Sequence, residues 1–98
     1  MGNQEETSWA CVEATITGLV QGVGFRFFVE RVAKRYGLTG YVMNLQGGGV
    51  KVIAEGPREA LSLLLQDLRE GPRLSSVEAV EVNWQEYRGR FVDFSIRF

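Results

Sequence analysis

Two spacings of apolar residues follow one another along the 98-residue chain and predict a strand followed by a helix. From Trp9 to Val20 apolar residues recur at every second position, which predicts a half-buried strand. From Phe25 they recur at every third and fourth position, which predicts an amphipathic helix that ends at Gly37. The predicted inward residues are Val12, Ala14 and Ile16 of the strand and Phe25, Phe28, Val29, Val32, Ala33 and Tyr36 of the helix.

The rest of the chain continues with five more elements. They are, in order, a strand over 40–45, a returning strand over 50–55 after a glycine turn at 47–49, a helix that Pro57 opens at its first position and Gly71 ends, a strand over 76–85, and a short strand that runs to Phe98. The predicted inward residues are Val50, Val52 and Ala54, then Leu61, Leu64, Leu65 and Leu68, and then Val80, Val82 and Trp84.

The order of elements is β-α-β-β-α-β with a short extra C-terminal strand. This order predicts an α+β protein with a ferredoxin-like βαββαβ sandwich. Right-handed crossovers place both helices on one face of a mostly antiparallel sheet. We expect a frayed tail over residues 1–8 and a single domain over 9–98.

The composition narrows the chemistry that this domain can perform. The chain has no histidine and one cysteine, Cys11, so it has neither an imidazole base nor an intrachain disulfide. We therefore expect a cytoplasmic monomer without metal or other cofactor, in which Cys11 is a half-buried strand residue. The formal net charge of −1 gives no general attraction for nucleic acid, and no apolar stretch is long enough for a membrane span.

The acidic residues show no spacing typical of acid–base catalysis or of metal binding. We expect solvated surface groups at Glu13, Glu30, Glu55, Glu78, Glu81 and Asp93. The predicted strand 50–55 also lacks outward aromatic residues, which argues against an RNA-binding sheet of the RRM type.

The junction between the first strand and the first helix reads GLVQGVGFR, from Gly18 to Arg26. Glycines at 22 and 24 allow consecutive N–H groups to point at one place, and at a helix N-terminus such an arrangement binds anions. Arg26 adds a cation where the helix dipole is already positive, which costs about 0.3–1 kcal/mol unless an anion joins it. The junction is therefore either a phosphate-binding loop or a plain tight turn with a solvated Arg26.

Two further residues have alternative interpretations. Asn44 comes just before the glycine turn and is either an ordinary turn residue or a neutral amide that orients a water molecule. Phe27 lies off the apolar stripe of the first helix and is either a satellite core contact or an apolar wall near a pocket.

Two motifs, which lie within this predicted order of strands and helices, resemble signatures of the acylphosphatase family. GLVQGVGFR is similar to its signature Gly-x-Val-Gln-Gly-Val-x-Phe-Arg, and GLTGYVMN is similar to its second signature, which ends in Asn. The spacing between the two motifs also agrees with the family pattern, as do EGP before the second helix and GP after it. The resemblance runs from about Cys11 to Phe98.

The resemblance implies hydrolysis of small acyl phosphates to a carboxylate and inorganic phosphate, without a metal, a cofactor or a covalent intermediate. The catalytic arginine and asparagine of the family fall on Arg26 and Asn44. Its phosphate-binding amides fall on Gln21, Gly22, Val23, Gly24, Phe25 and Arg26. The resemblance also implies that the terminal carboxylate of Phe98, or a group near it, orients Arg26.

The turn after Asn44 departs from the family pattern. It reads LQGGGV from Leu45 to Val50, where the family often has Asp-Gly before Ser or Thr. We therefore expect a looser turn that lacks a hydroxyl beside the attacking water. Gly24 resembles the bacterial members.

Two alternative functions stay open. The chain is either an enzyme or a non-catalytic acylphosphatase-like phosphate-binding module of the kind found in larger maturation proteins, and its length of 98 residues favours the enzyme. A regulatory or RNA-binding domain of the same fold is the third hypothesis.

Overall fold

The structure, a computed structural model, describes residues 8–98, and in this range the predicted order of elements is confirmed. The elements are β1 (Trp9–Leu19), α1 (Phe25–Arg35), β2 (Thr39–Asn44), β3 (Val50–Pro57), α2 (Arg58–Glu70), β4 (Ser76–Glu86) and β5 (Phe94–Arg97). Residues 1–7 of the predicted tail lie outside the described residues. The carbonyl of Ser8 accepts a hydrogen bond of 3.0 Å from the Arg58 N–H.

The five strands form one sheet in the order β4-β1-β3-β2-β5. All neighbouring strands are antiparallel except β2 and β5, which are parallel. The predicted ferredoxin-like sandwich is therefore confirmed. The parallel pair has a consequence for the site, because it places the end of β5 beside the end of β2.

The main core lies between the sheet and the two helices. It contains the predicted inward residues of β1 and β3 together with Phe25 and Val29 of α1 and the four leucines of α2. Phe28 and Tyr36 pack against its edge. Full burial of a side chain of this kind contributes about 1.5–3 kcal/mol to the free energy of folding. The inward residues that the two periodicities predict make up most of this core.

The sequence predictions for Trp84 and Pro57 are wrong. Trp84 is 39% exposed, because β4 is an edge strand, and its ring lies 5.1 Å from the Arg58 guanidinium carbon. Pro57 is the residue before α2, with extended backbone angles, and the first helical residue is Arg58. For Phe27, which is 58% exposed, the first of the two interpretations, a satellite core contact, is excluded, since the residue lies outside the angular range that α1 turns toward the sheet.

A second, smaller cluster lies on the opposite face of the sheet. It contains Cys11, Tyr41 and Ile53, with Phe91 packed against it. Cys11 is completely buried, where the sequence predicts half-burial. Burial, and then the nearby carboxylate of Glu55, raise the pKa of the Cys11 thiol, so the reactive thiolate form is disfavoured.

Glu55 belongs to this face and is buried, so its predicted place on the solvated surface is wrong. The segment between β4 and β5 folds back over this strand position. The carboxylate accepts hydrogen bonds of 3.2 Å and 3.0 Å from the N–H groups of Arg88 and Arg90, and it lies 3.5 Å from the Arg90 Nε. Charge-assisted bonds of this type are stronger than neutral ones, so Glu55 fixes the segment that leads into β5.

No helix within residues 8–98 is both long and apolar enough to cross a membrane. The same residues contain no group of three or more cysteine, aspartate or glutamate side chains arranged to hold a metal ion.

Glu55→Ala should lower the free energy of unfolding by about 2 kcal/mol, because it removes the acceptor of two backbone N–H groups. Urea unfolding followed by far-ultraviolet circular dichroism measures the change. Glu81→Ala, which removes an exposed carboxylate, is the matched control and should change the value by less than about 0.5 kcal/mol. Equal losses in the two variants would contradict the role of Glu55.

Candidate active site

The turn between β1 and α1 contains two glycines in the left-handed region. Gly22 has a φ of 76° and Gly24 a φ of 79°, and within residues 8–98 no residue other than glycine has a positive φ. The sign of φ therefore alternates from Gln21 to Gly24. This alternation directs successive N–H groups toward one side of the chain, which is the geometry of an anion-binding nest. The space that a Cβ would occupy at either glycine is open and accessible to a ligand.

Apolar side chains fasten this turn to the core. Val20 and Phe25 are buried, and Val23 packs against the same core from between the two glycines. Gly22 and Gly24 are exposed. The buried side chains fix the path of the backbone, while its amides stay accessible.

Helix α1 begins with a strong preference for an anion. Gly24 is its N-cap and provides no capping side chain, and the first turn contains no acidic residue. The first N–H groups of a helix have no carbonyl partner within the helix, and the helix dipole makes this end positive. Lys34 and Arg35 occupy the last turn, where cations are favourable, whereas Arg26 lies in the first turn, where a cation is unfavourable.

The side chain of Arg26 is partly buried and lies against the last strand. Its guanidinium carbon is 4.8 Å from the centre of the Phe98 ring, within the range of a cation–π interaction. Its Nη1 donates a long hydrogen bond of 3.4 Å to the Arg97 carbonyl. Arg26 is therefore held at the end of β5.

Asn44 lies at the same end of the sheet. It is the last residue of β2, and in the parallel pair of β2 with β5 its predecessor Met43 is level with Arg97. Asn44 is therefore level with Phe98, the residue whose ring contacts Arg26. Neighbouring strands lie about 4.8 Å apart, so this register brings Asn44 close to the groups that hold Arg26.

The side-chain oxygen of Asn44 lacks a partner. Its Oδ1 is buried and accepts no hydrogen bond from any of the described residues. A buried acceptor of this kind costs about 1–3 kcal/mol when it stays unsatisfied. Such an oxygen can accept a hydrogen bond from a bound water molecule or a ligand, which favours the second interpretation of Asn44 over a plain turn residue.

The first loop also contacts the turn that follows Asn44. The Gln21 Nε2 donates to the carbonyls of Leu45 and Gly49, at 2.8 Å and 2.7 Å. We call the backbone segment from Gln21 to Arg26 the phosphate cradle. Its first residue, Gln21, contacts the β2–β3 turn, and its last residue, Arg26, contacts the end of β5. The fold therefore gathers all the predicted site residues at one edge of the sheet.

The sequence analysis expected the terminal carboxylate of Phe98, or a group near it, to orient Arg26, and the groups that contact Arg26 are the Arg97 carbonyl and the Phe98 ring. Sequence reasoning missed the two contacts of the Gln21 side chain. The signal for Gln21 is present in the sequence as the one polar side chain among the glycines and apolar residues before Arg26. The contacts of Arg97 and Phe98 depend on the pairing of β5 with β2, which no local pattern encodes.

Comparison with known proteins gives consistent results. Residues 12–96 match the acylphosphatase family model. An acylphosphatase of Thermus thermophilus is 55% identical over 76 residues, which cover 78% of this chain and 86% of that protein. The crystal structure of acylphosphatase from Bacillus subtilis matches with a TM-score of 0.88 and 34% identity, over 91% of this chain and 99% of that chain.

A larger protein contains a similar unit. Full-length HypF, in its phosphate- and nucleotide-bound form, matches with a TM-score of 0.85 and 31% identity. The match covers 94% of this chain and 12% of HypF. The family model nevertheless extends over nearly the whole of β1 to β5, and the curated relative is matched over most of its length, so this chain belongs to the acylphosphatase family.

Proposed function

We propose that Arg26, Asn44 and the backbone amides from Gln21 to Arg26 perform the reaction of the acylphosphatase family in this chain. The reaction is hydrolysis of the carboxyl–phosphate bond of a small acyl phosphate. One observation carries the proposal: two left-handed glycines lie at an uncapped helix N-terminus that already contains Arg26. Such an excess of positive potential and free donors fits a ligand with several anionic oxygens.

The phosphoryl group would bind in the cradle between the two glycines and Arg26. The amides supply fixed donors, and the planar guanidinium supplies a fork of donors that matches two phosphoryl oxygens. The contacts of Arg26 with Phe98 and Arg97 restrict its motion before substrate arrives. Donors fixed in advance stabilise the charge that grows on the phosphoryl oxygens in the transition state.

Asn44 would hold the attacking water. Its buried, unpartnered Oδ1 can accept a hydrogen bond from the water and turn a lone pair toward phosphorus. A water that is held in line opposite the acyl oxygen converts a collision into an oriented step, which lowers the entropic part of the barrier. An amide is suited to this role because it is neutral and does not repel the phosphoryl group.

The chemistry requires neither a general acid nor a histidine, and the chain has no histidine. A bond forms between the water oxygen and phosphorus while the bond from phosphorus to the acyl oxygen breaks. The electron pair of the broken bond leaves on the carboxylate, which is stable without protonation. The proton of the water passes to a phosphoryl oxygen, so the products are a carboxylate and inorganic phosphate. Such a reaction is accelerated by positioning of the reactants and by electrostatic stabilisation of the transition state.

The one alternative is a non-catalytic phosphate-binding module; HypF, which has a similar unit, was solved in a phosphate- and nucleotide-bound form. In that case the cradle would bind phosphate but Asn44 would not direct a water. Measured turnover separates the two functions, because a module binds phosphate without hydrolysing an acyl phosphate.

We infer that the protein acts as a monomer in the cytoplasm. Every residue of the proposed site comes from one chain, and its single cysteine, Cys11, is a buried free thiol. A free thiol is typical of a reducing compartment.

Arg26→Ala should lower kcat/KM for benzoyl phosphate by about 10³-fold, because it removes both phosphate binding and stabilisation of the transition-state charge. The assay follows loss of the acyl phosphate in EDTA, where the wild-type rate should be unchanged. The control is Arg31→Ala, which removes an exposed cation from the same helix and should leave kcat/KM within about twofold. Comparable losses in both variants would mean that general positive charge on α1, and not Arg26 itself, drives the reaction.

Asn44→Ala should lower kcat by about 10²-fold, because the water loses its fixed direction. The inhibition constant of inorganic phosphate should stay within about threefold, because the cradle is unchanged. Steady-state kinetics with phosphate as competitor measures both. Gln46→Ala, at an exposed position two residues further on, is the control and should behave as wild type. A variant that loses phosphate affinity and turnover in parallel would place Asn44 in phosphate binding.

A further inference from the structure

We infer that Gln21 is a positioning residue, whose side-chain amide holds the β2–β3 turn, and with it Asn44 at the end of β2, in a fixed relation to the phosphate cradle. This inference rests on the proposed function of the site. It concerns the side chain of Gln21, whereas the cradle uses only its backbone amide.

The Gln21 side chain contacts the turn at two points, and we call its pair of hydrogen bonds to Leu45 and Gly49 the clasp. Its Nε2 carries two hydrogens, and it donates one bond of 2.8 Å to the Leu45 carbonyl and one of 2.7 Å to the Gly49 carbonyl. These carbonyls stand on the two sides of the β2–β3 turn. A single nitrogen therefore joins both sides of this turn to the loop that precedes α1.

The turn needs such an external contact because its own sequence restrains it weakly. Gly47, Gly48 and Gly49 all have positive φ angles, of 88°, 119° and 92°. Two backbone bonds close the turn, from Leu45 N–H to the Gly49 carbonyl at 2.9 Å and from Gly48 N–H to the Leu45 carbonyl at 3.2 Å. Consecutive glycines have a large conformational freedom, so the side chain of Gln21 supplies the restraint that side chains within the turn do not.

The position of Asn44 depends on this restraint. Asn44 directly precedes Leu45, one of the two acceptors of Gln21. The Asn44 Oδ1 has no partner in the described chain, so no protein contact of that oxygen orients the amide. Asn44 ends β2, where it pairs with Val50 of β3, so its distance from the cradle is set by the backbone at this end of the two strands and by the turn that joins them. An error of about 1 Å in such a position is enough to lower a rate by about 10²-fold.

The chemistry of the contact explains the choice of glutamine. Two carbonyl acceptors require two donors on one neutral atom, and the primary amide provides them. Methionine has a similar length but no donor. An ionised glutamate has only acceptors and would repel both carbonyls.

The first test separates positioning from binding. Gln21→Met should lower kcat for benzoyl phosphate by about 10- to 100-fold, while the inhibition constant of inorganic phosphate stays within about threefold, because the backbone amide at 21 remains. Gln46→Met, which changes an exposed glutamine of the same turn, is the matched control and should not alter either value. A wild-type kcat in Gln21→Met, or a parallel loss of phosphate affinity, overturns the inference.

A double-mutant cycle tests whether Gln21 acts through Asn44. In the Asn44→Ala background, Gln21→Met should reduce kcat by less than about twofold further, because the group that it positions is already absent. Independent, multiplying effects of the two changes would contradict this coupling.

The pH dependence of activity provides a further test, because a general loss of stability would not produce the profile expected for Gln21→Glu. Gln21→Glu should be poorly active near pH 8 and should regain activity relative to wild type as the pH falls to about 4, below the usual glutamate pKa of about 4.3, because a protonated carboxyl can donate to one of the two carbonyls. The relative activity of Gln21→Met should stay flat over this range. A flat profile for Gln21→Glu counts against the clasp.

A last measurement does not depend on turnover. Amide hydrogen exchange at Leu45 and Gly48 should accelerate by at least about tenfold in Gln21→Met, because the bonds that close the turn open more often. Unchanged exchange refutes the clasp even in an active enzyme. Absence of turnover in the wild type with this acceleration present would instead refute the proposed function and leave the clasp standing.

Discussion

The site depends on one physical constraint, which is that several backbone N–H donors at the β1–α1 junction converge without acceptors among residues 8–98. Left-handed angles at Gly22 and Gly24 bring this about, and Val20, Val23 and Phe25 hold it in place from the core side. A helix optimised for stability would have a capping side chain or an acidic residue here. Helix α1 has neither and adds Arg26 instead, so local stability is reduced where an anionic ligand can restore it.

The sheet topology completes this arrangement from the other side. Strand β5 lies parallel to β2, so the end of β5 is beside Asn44 and presents the Arg97 carbonyl and the Phe98 ring to Arg26. On the opposite face, Glu55 fixes the segment that leads into β5 through two backbone N–H groups. The position of the arginine is thus connected through β5 to a buried carboxylate that is not itself part of the site.

The features that the sequence predicts correctly are those with a local cause. The alternation in β1 and the stripes of α1 and α2 determine which face is buried, and glycines at 22 and 24 indicate the unusual turn. The errors at Glu55 and Cys11, and the missed contacts of Gln21, come from contacts between distant segments. Glu55 has an outward position in β3, and only the path of residues 87–93 buries it. The side chain of Gln21 gains its partners only when the β2–β3 turn packs against the first loop.

The central claim is that the amides of the β1–α1 turn bind the phosphoryl group. The most direct measurement is a titration of nitrogen-15-labelled protein with inorganic phosphate, followed by amide chemical shifts. The account predicts saturable shifts that are largest for residues 22–26. Saturable shifts centred elsewhere, such as around Arg90 on the opposite face of the sheet, or none at all at the turn, would contradict it.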